Sequence, residues 1–192
     1  CKTMNDIAMC WRIFEHGKSV YRLNVYIFSQ MIFILNKSPI YRNNKPKAMQ
    51  IYHQLMREMD KLEIQPNDLL ITSTFSLLTR CNEWNEAHTI WKNLKTLNSE
   101  LLQNGHVWVS YVSLYIKECV TEPGDNLEKL TLILKLLDEM QNEYGVTHHN
   151  THSTVLFGIS KLLKRQIKFD PESANKDKII QIGEQLFDAV SY

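Results

Sequence analysis

Glycine and proline are scarce in this sequence, with six Gly and five Pro among 192 residues. An all-β chain needs a turn about every ten residues, and glycine and proline supply many of those turns. Their scarcity therefore argues against an all-β fold. Leucine, lysine, glutamine, glutamate and methionine are plentiful, and all of them favour helices. The composition predicts an all-α protein.

Closely spaced cysteines and an excess of charge are also missing. The four cysteines form no C-x-x-C pair and lie far apart, at Cys1, Cys10, Cys81 and Cys119. This spacing indicates neither a disulfide framework nor a zinc site, and it suits a reducing compartment. Lys and Arg (22) nearly balance Asp and Glu (21), so bulk charge does not indicate a nucleic-acid or membrane partner. Any basic surface must be local.

Long apolar stretches are absent as well. The most apolar run, residues 25–35, is interrupted by polar residues and falls far short of the roughly 20 apolar residues that a membrane-spanning helix needs. We therefore expect no membrane span. The chain begins at Cys1 with residues that already look helical, so we expect a fragment of a longer protein.

The motifs of common catalytic sites are not present. The sequence has no nucleophile elbow, P-loop, H-E-x-x-H, glycine-rich phosphate loop or plausible pair of acid–base carboxylates. We expect no enzymatic activity and no cofactor in this segment. His148, His149 and His152 could share a metal ion, but no carboxylate or thiol lies close in sequence to complete the ligand set. No metal site is predicted.

An aliphatic and aromatic pair recurs on amphipathic stretches. The pairs Ile13-Phe14, Ile51-Tyr52 and Ile90-Trp91 follow one another at intervals of 38 and 39 residues. Each lies in a segment of helical periodicity, and a second, mostly apolar segment separates consecutive pairs. Two helices per unit of roughly 40 residues describe an α-solenoid. The predicted units of this single domain, residues 1–192, are 1–24 (partial), 25–67, 68–104, 105–149 and 150–192.

One segment is ambiguous between strand and helix. The run LLITSTF, residues 69–75, is rich in β-branched and apolar residues like a strand, but Pro66, Asn67 and Asp68 in front of it are typical of a helix start. A helix covered by neighbours on both sides can be apolar nearly all round. We predict a helix over 68–80 with Asn67 or Asp68 as its N-cap.

The segment IQPNDLLITSTFSLLTRCNEWNEAHTIWKNL, residues 64–94, resembles a pentatricopeptide repeat. The residues in register with the family pattern are Pro66, Asn67, Arg80, Glu86, Ala87, Ile90 and Trp91. The resemblance implies a right-handed α-solenoid of paired helices. The W-x-x-L-G-x-x-Y signature of tetratricopeptide repeats is missing. HEAT-type repeats, which have little signature, stay open as an alternative.

The resemblance also implies a partner and a set of contact residues. Such repeats bind single-stranded RNA, one base per repeat. In the family, the fifth residue of the first helix and the last residue of the unit select the base, and the second residue packs against it. The implied contacts are Tyr26, Ser29 and Asn67, then Leu69, Thr72 and Asn104, then His106, Val109 and His149, and finally Thr151 and Thr154. Arg80 and Lys117 are candidate phosphate contacts.

The family resemblance further implies a place and a role. Ser or Thr combined with Asn resembles the family's adenine-preferring combination, which implies an A-rich or AU-rich RNA. The sequence looks like divergent fungal mitochondrial members, so we expect a protein of the mitochondrial matrix. Its role would be the stability, processing or translation of a transcript, with the mitochondrial ribosome or RNA-processing factors as further partners. The alternative is a protein-binding scaffold of helical repeats, in which the same Ser, Thr and Asn residues are ordinary helix and N-cap residues.

Overall fold

The computed structural model describes residues 4–20, 23–97, 99–170 and 174–190. Every regular element in these ranges is helical, which confirms the all-α prediction. No helix within them is long and apolar enough to span a membrane. The α-helices are α1 (Met4–Val20), α2 (Val25–Lys37), α3 (Pro39–Arg42), α4 (Lys45–Lys61), α5 (Asp68–Cys81), α6 (Trp84–Thr96), α7 (Gly105–Thr121), α8 (Asn126–Asp138), α9 (His149–Phe169) and α10 (Ala174–Val190). A 3-10 turn (Glu100–Gln103) and a π turn (Glu139–Glu143) complete the set.

Asparagine side chains fix where four of the helices begin, and α2, α5 and α7 are three of them. Asn24, Asn67 and Asn104 are the N-caps of α2, α5 and α7, and the side-chain oxygen of each accepts a backbone N–H of the first turn. Such a bond satisfies one of the four N–H groups that have no partner within the helix. The predicted helix over 68–80 is confirmed, with Asn67 as its N-cap. The β-branched residues of this segment are tolerated because tertiary packing outweighs their weak preference against helix.

The chain divides into two compact units, residues 1–83 and 84–192. In the first unit, α2 packs against both α4 and α5, and α1 packs against α2. Its core contains the fully buried side chains of Phe28, Leu35, Leu55 and Phe75. The first helix of a predicted unit, α2, is therefore covered by its own second helix, α4, and by the next first helix, α5.

The second unit repeats this arrangement. Here α7 packs against α6, α8 and α9, and α9 packs against α8 and α10. An apolar core that includes Val112, Leu130, Ile133, Val155 and Leu162 joins α7, α8 and α9. The helices α7 and α9 are thus first helices, with α8 and α10 as their second helices.

The recurring pairs of the sequence mark the second helices. The aromatic members Phe14, Tyr52 and Trp91 are all buried, in α1, α4 and α6. Helices α2, α5 and α7 begin at residues 25, 68 and 105, where the predicted repeat units start. The last first helix, α9, begins at His149, one residue earlier than the predicted start at 150.

Candidate nucleic-acid interface

The start of each first helix carries the predicted RNA contacts. We count positions from the N-cap residue of α2, α5, α7 and α9, so that the predicted second and fifth residues of a unit are positions 2 and 5. The N-cap of the next first helix is the last residue of the preceding unit. The N-caps in question are Asn24, Asn67, Asn104 and His148.

Ser29 and Asn67, the two predicted base-selecting residues of the repeat over residues 25–67, are in contact with each other. The hydroxyl of Ser29, at position 5 of α2, lies 3.3 Å from Oδ1 of Asn67 and donates to the Val25 carbonyl at 2.9 Å. Asn67 Oδ1 also accepts the backbone N–H of Leu70 at 2.9 Å. Within the described ranges, no residue accepts a hydrogen bond from the Asn67 amide nitrogen. Ser29 is buried, and its contact with Asn67 lies on the oxygen side of the Asn67 amide.

Other predicted contacts also lie at exposed helix starts. Tyr26, Leu69 and His106, all at position 2, are exposed on α2, α5 and α7. Thr72, at position 5 of α5, is half-buried and its hydroxyl donates to the Leu69 carbonyl at 3.1 Å. Val109, at position 5 of α7, is half-buried and offers no polar group. Near the N-terminal ends of α2, α5 and α7, position 2 therefore carries an exposed apolar or aromatic side chain and position 5 carries a small one.

The third predicted set lies around the start of α9. Asn104 caps α7 by accepting the His106 backbone N–H at 2.9 Å. The rings of His106 and His148 meet edge to face, with centroids 4.6 Å apart. The side chain of His149 lies outside the described residues. It is therefore His148, the N-cap, that the structure brings next to the position 2 residue of this unit.

The register of α9 differs by one residue from the sequence register. His148 accepts the Asn150 backbone N–H at 3.2 Å, as the asparagine caps do in the other first helices. Thr151, which the sequence places at the exposed position 2, is 0% exposed, and its hydroxyl lies 3.9 Å from the sulfur of Met140. It corresponds to the buried Leu70 and Val107, three residues after Asn67 and Asn104. The equivalent of an exposed position 2 residue is Asn150.

The same shift brings Ser153 into position 5. Its exposed hydroxyl donates to the Asn150 carbonyl at 3.1 Å, and the Thr72 hydroxyl donates to the Leu69 carbonyl at the same distance. Thr154, the predicted contact, is half-buried one residue further on. The sequence prediction missed His148, Asn150 and Ser153 because it began the last unit at residue 150, one residue after the start of α9. The roles of His149 and Thr154 stay predictions.

A basic residue stands thirteen residues after each of these N-caps. The four residues are Lys37, Arg80, Lys117 and Lys161. The three lysines are exposed, as a phosphate contact requires. The guanidinium nitrogens of Arg80 are buried instead, and they find no hydrogen-bond acceptor among the residues that the structure describes. In this conformation Arg80 therefore cannot reach a phosphate from the surface as Lys117 can.

The helix starts also contain histidines, which are potential metal ligands. In the described part of the chain, no three His, Cys, Asp or Glu side chains converge to hold an ion. His152 instead pairs its Nε2 with the Gln141 amide at 3.3 Å. The groups present at the helix starts include hydroxyls, amides and imidazoles, which can form hydrogen bonds with bases and phosphates.

Consecutive helical hairpins with polar residues at the starts of their first helices define a helical-repeat protein. The family profile described as the pentacotripeptide-repeat region of PRORP matches residues 1–101, more than half of the chain. The chain belongs to the pentatricopeptide-repeat family, whose members are generally RNA-binding proteins. A comparison with curated proteins gave no match.

Proposed function

We propose that this chain binds single-stranded RNA through the starts of its first helices and has no enzymatic activity of its own. The contact between Ser29 and Asn67 carries the proposal. Two residues 38 positions apart meet at 3.3 Å, and they are the two residues that select the base in a family repeat. Pentatricopeptide repeats recognise one base per repeat through such side chains.

The chemistry of this pair supports an adenine-containing target. Asn67 Oδ1 is occupied by the helix cap and by Ser29, which leaves the amide N–H groups as donors. Adenine presents unprotonated ring nitrogens as acceptors, so a donor at this place suits it. Thr72 repeats the small hydroxyl at position 5, and Asn104 the amide at the end of its unit. An A-rich or AU-rich stretch is therefore the proposed ligand.

The revised register of α9 gives the third unit a different pair of selecting residues. Val109 at position 5 and His148 at the end of the unit replace the hydroxyl and amide of the preceding units. An imidazole can donate or accept, and valine can do neither. This unit is expected to bind a nucleotide with little base preference, while Ser153 restores a hydroxyl in the following unit.

The proposed biological role rests on the family and on sequence character. Organellar members of the family bind transcripts, and the Asn-, Lys- and Ile-rich sequence looks like divergent fungal mitochondrial members. On this basis the protein acts in the mitochondrial matrix, where it protects a transcript, assists its processing or promotes its translation. The outer helices α8 and α10 then remain free for contacts with the ribosome or with RNA-processing factors.

A protein-binding scaffold is the second candidate, and two observations favour it. The net charge of +1 gives no general attraction to a polyanion. In addition, a cavity of about 530 Å³ between α1 and α2 is lined by apolar side chains that include Ile13, Phe14 and Ile27. A scaffold would use such apolar surface for a peptide or helix. Binding a protein in this way would not require the amide N–H groups of Asn67.

Binding to RNA oligonucleotides separates the two candidates. We expect A-rich single strands about 15 nucleotides long to bind the full chain more tightly than U-rich or mixed strands and than duplex RNA. Affinity should fall between roughly 50 and 200 mM salt, because each neutralised phosphate releases counterions. The absence of binding to all single strands at low salt would remove RNA as the ligand and leave the scaffold.

The role of Asn67 is tested by the substitution Asn67→Asp. Aspartate is as good an N-cap as asparagine, so α5 should keep its stability. The donors become acceptors, and the preferred base should shift from adenine toward guanine, whose edge offers N–H groups, by roughly tenfold in relative affinity. Asn44→Asp is the matched control, because Asn44 caps the second helix α4 in the same way. An unchanged preference in Asn67→Asp would disprove this assignment.

A further inference from the structure

Two exposed phenylalanines occupy the same place in two first helices. Phe33 in α2 is 45% exposed and Phe157 in α9 is 61% exposed. Each lies nine residues after the N-cap of its helix, Asn24 and His148 respectively. Single exposed apolar residues are ordinary on protein surfaces. Recurrence at one position of a repeat is a stronger observation, because both rings keep a large part of their surface in contact with solvent.

Each of these rings has a lysine placed over it. Lys37 Nζ lies 5.8 Å from the centre of the Phe33 ring, and Lys161 Nζ lies 5.0 Å from the centre of the Phe157 ring. The lysines follow their phenylalanines by four residues, which brings the two side chains onto the same face of a helix. The attraction between an ammonium group and an aromatic ring holds a positive charge beside an exposed aromatic surface.

The rings share a helix face with the base-selecting residues. Successive residues of an α-helix are about 100° apart, so positions 5, 9 and 13 differ by only about 40° each. In α9 these positions are Ser153, Phe157 and Lys161, and all three are exposed. In α2 the corresponding residues are Ser29, Phe33 and Lys37. The ring therefore lies one helical turn, about 6 Å, beyond the residue at position 5.

The two intervening first helices, α5 and α7, carry serine at the position that phenylalanine occupies in α2 and α9. Ser76 in α5 and Ser113 in α7 lie nine residues after their N-caps, and each of these helices still has a basic residue four positions later. The basic residue is thus common to all four helices, whereas the ring is confined to α2 and α9. A surface that combines an exposed ring with an ammonium group matches a nucleotide, whose planar base stacks and whose phosphate is negative.

We propose that Phe33 and Phe157 are stacking platforms for nucleobases of single-stranded RNA, with Lys37 and Lys161 neutralising the neighbouring phosphates. This inference rests on the proposed RNA-binding function and adds a contact that does not select a base. Every base has a flat π surface, so stacking tolerates any sequence. The platforms supply affinity, and the residues at position 5 and at the end of each unit supply preference.

The platforms are tested in the full chain with single-stranded RNA about 15 nucleotides long, measured by fluorescence anisotropy at two salt concentrations. Phe157→Ala should weaken binding about tenfold at both concentrations and leave the slope of log affinity against log salt unchanged, because stacking releases no counterions. Phe157→Trp should restore or strengthen binding. Lys161→Gln should reduce the slope by about one, because it removes one phosphate contact. Phe33→Ala should act as Phe157→Ala does.

Phe187→Ala is the matched control. Phe187 is also 61% exposed, but it lies on the second helix α10 and should not contribute to RNA binding. If the unsubstituted chain binds RNA and Phe33→Ala and Phe157→Ala bind it equally well, the platforms are disproved while the proposed function stands. Equal losses in Phe157→Ala and Phe187→Ala would also overturn the inference. If the unsubstituted chain binds no RNA, the proposed function itself fails, and the two failures are thereby distinguished.

Discussion

At the scale of single residues, Gly158 shows how closely two first helices approach each other. A Cβ atom on Gly158 in α9 would lie 2.8 Å from Cγ2 of Ile116 in α7 and 3.0 Å from its Cδ1. Gly183, the glycine of α10, has more room, because a Cβ there would be 3.4 Å from Cγ2 of Ile159. The first distance is too short for a carbon contact and the second is ordinary. Gly158 is therefore required by close packing, whereas Gly183 is not.

The contrast between these glycines predicts opposite effects of alanine. Gly158→Ala should lower the free energy of unfolding by about 1–3 kcal/mol, because a buried Ile116 has to shift. Gly183→Ala should leave it unchanged or raise it by up to about 1 kcal/mol, because alanine is the better helix former. Urea denaturation monitored by circular dichroism measures both. An equal effect of the two substitutions would mean that α7 and α9 do not pack this closely.

At the scale of helices, a histidine joins α6 to α7. His88 Nδ1 lies 2.8 Å from the Tyr111 hydroxyl, and His88 Nε2 lies 2.8 Å from Glu118 Oε2. The Tyr111 ring stacks on Trp91 with centroids 4.1 Å apart and planes 7° from parallel. A polar bridge and a stacked pair of rings therefore fix the same two helices. Both contacts fix the position of α7 along the axis of α6. They therefore also fix the position of the start of α7.

Removing parts of this bridge should give non-additive losses of stability. Tyr111→Phe keeps the stacked ring and should cost about 1 kcal/mol, the typical net value of a hydrogen bond. His88→Ala should cost more, about 2–3 kcal/mol, because the Tyr111 hydroxyl and the Glu118 carboxylate both lose a partner. The double variant should cost less than the sum, as expected for residues in one network. Thr89→Ala, at an exposed site of α6, is the control.

Much of the element pattern could be predicted from the sequence. The starts of α2, α5 and α7 follow from Asn24, Asn67 and Asn104, because asparagine is among the strongest N-caps. The start of α9 could not be predicted, because the stretch THHNTH offers several capping residues. In the structure the side chain of Thr151 is wholly buried, and α9 begins at His149, one residue before the predicted start.

Contacts between helices were beyond the reach of the sequence. The bridge from His88 to Tyr111 and Glu118 spans 23 and 30 residues, and it forms only when two helices are correctly aligned along their length. The burial of the Arg80 guanidinium is of the same kind, because a basic residue late in an amphipathic helix is expected at the surface. Local sequence patterns specify the helices, whereas the His88 bridge and the burial of Arg80 depend on how the helices pack against each other.

At the scale of the whole molecule, the formal net charge at pH 7 is only +1, and a cysteine thiol and two tyrosine hydroxyls keep their protons to unusually high pH because of burial. Burial raises the pKa of the Cys119 thiol from 9.0 to about 11 and that of the Tyr115 hydroxyl from 10.0 to about 12. Burial also raises the pKa of Tyr111. An acid with a raised pKa in the folded state binds its proton more tightly when folded. The resulting stability is complete below the unfolded pKa and is lost as the pH rises toward the folded pKa.

The chain should therefore lose stability under alkaline conditions, beginning near pH 9 with Cys119 and continuing to about pH 12 with Tyr115. Burial lowers the pKa of Lys129, which opposes this trend, because a base that is neutral in the folded state adds stability as the pH rises. Urea denaturation of the full chain at a series of pH values measures the net slope. Cys119→Ala should remove about 2–3 kcal/mol of the loss between pH 9 and 11, the free-energy equivalent of a two-unit shift. Tyr115→Phe should flatten the curve between pH 10 and 12 instead, and identical curves for the two variants and the unsubstituted chain would show that these groups are not buried in the folded protein.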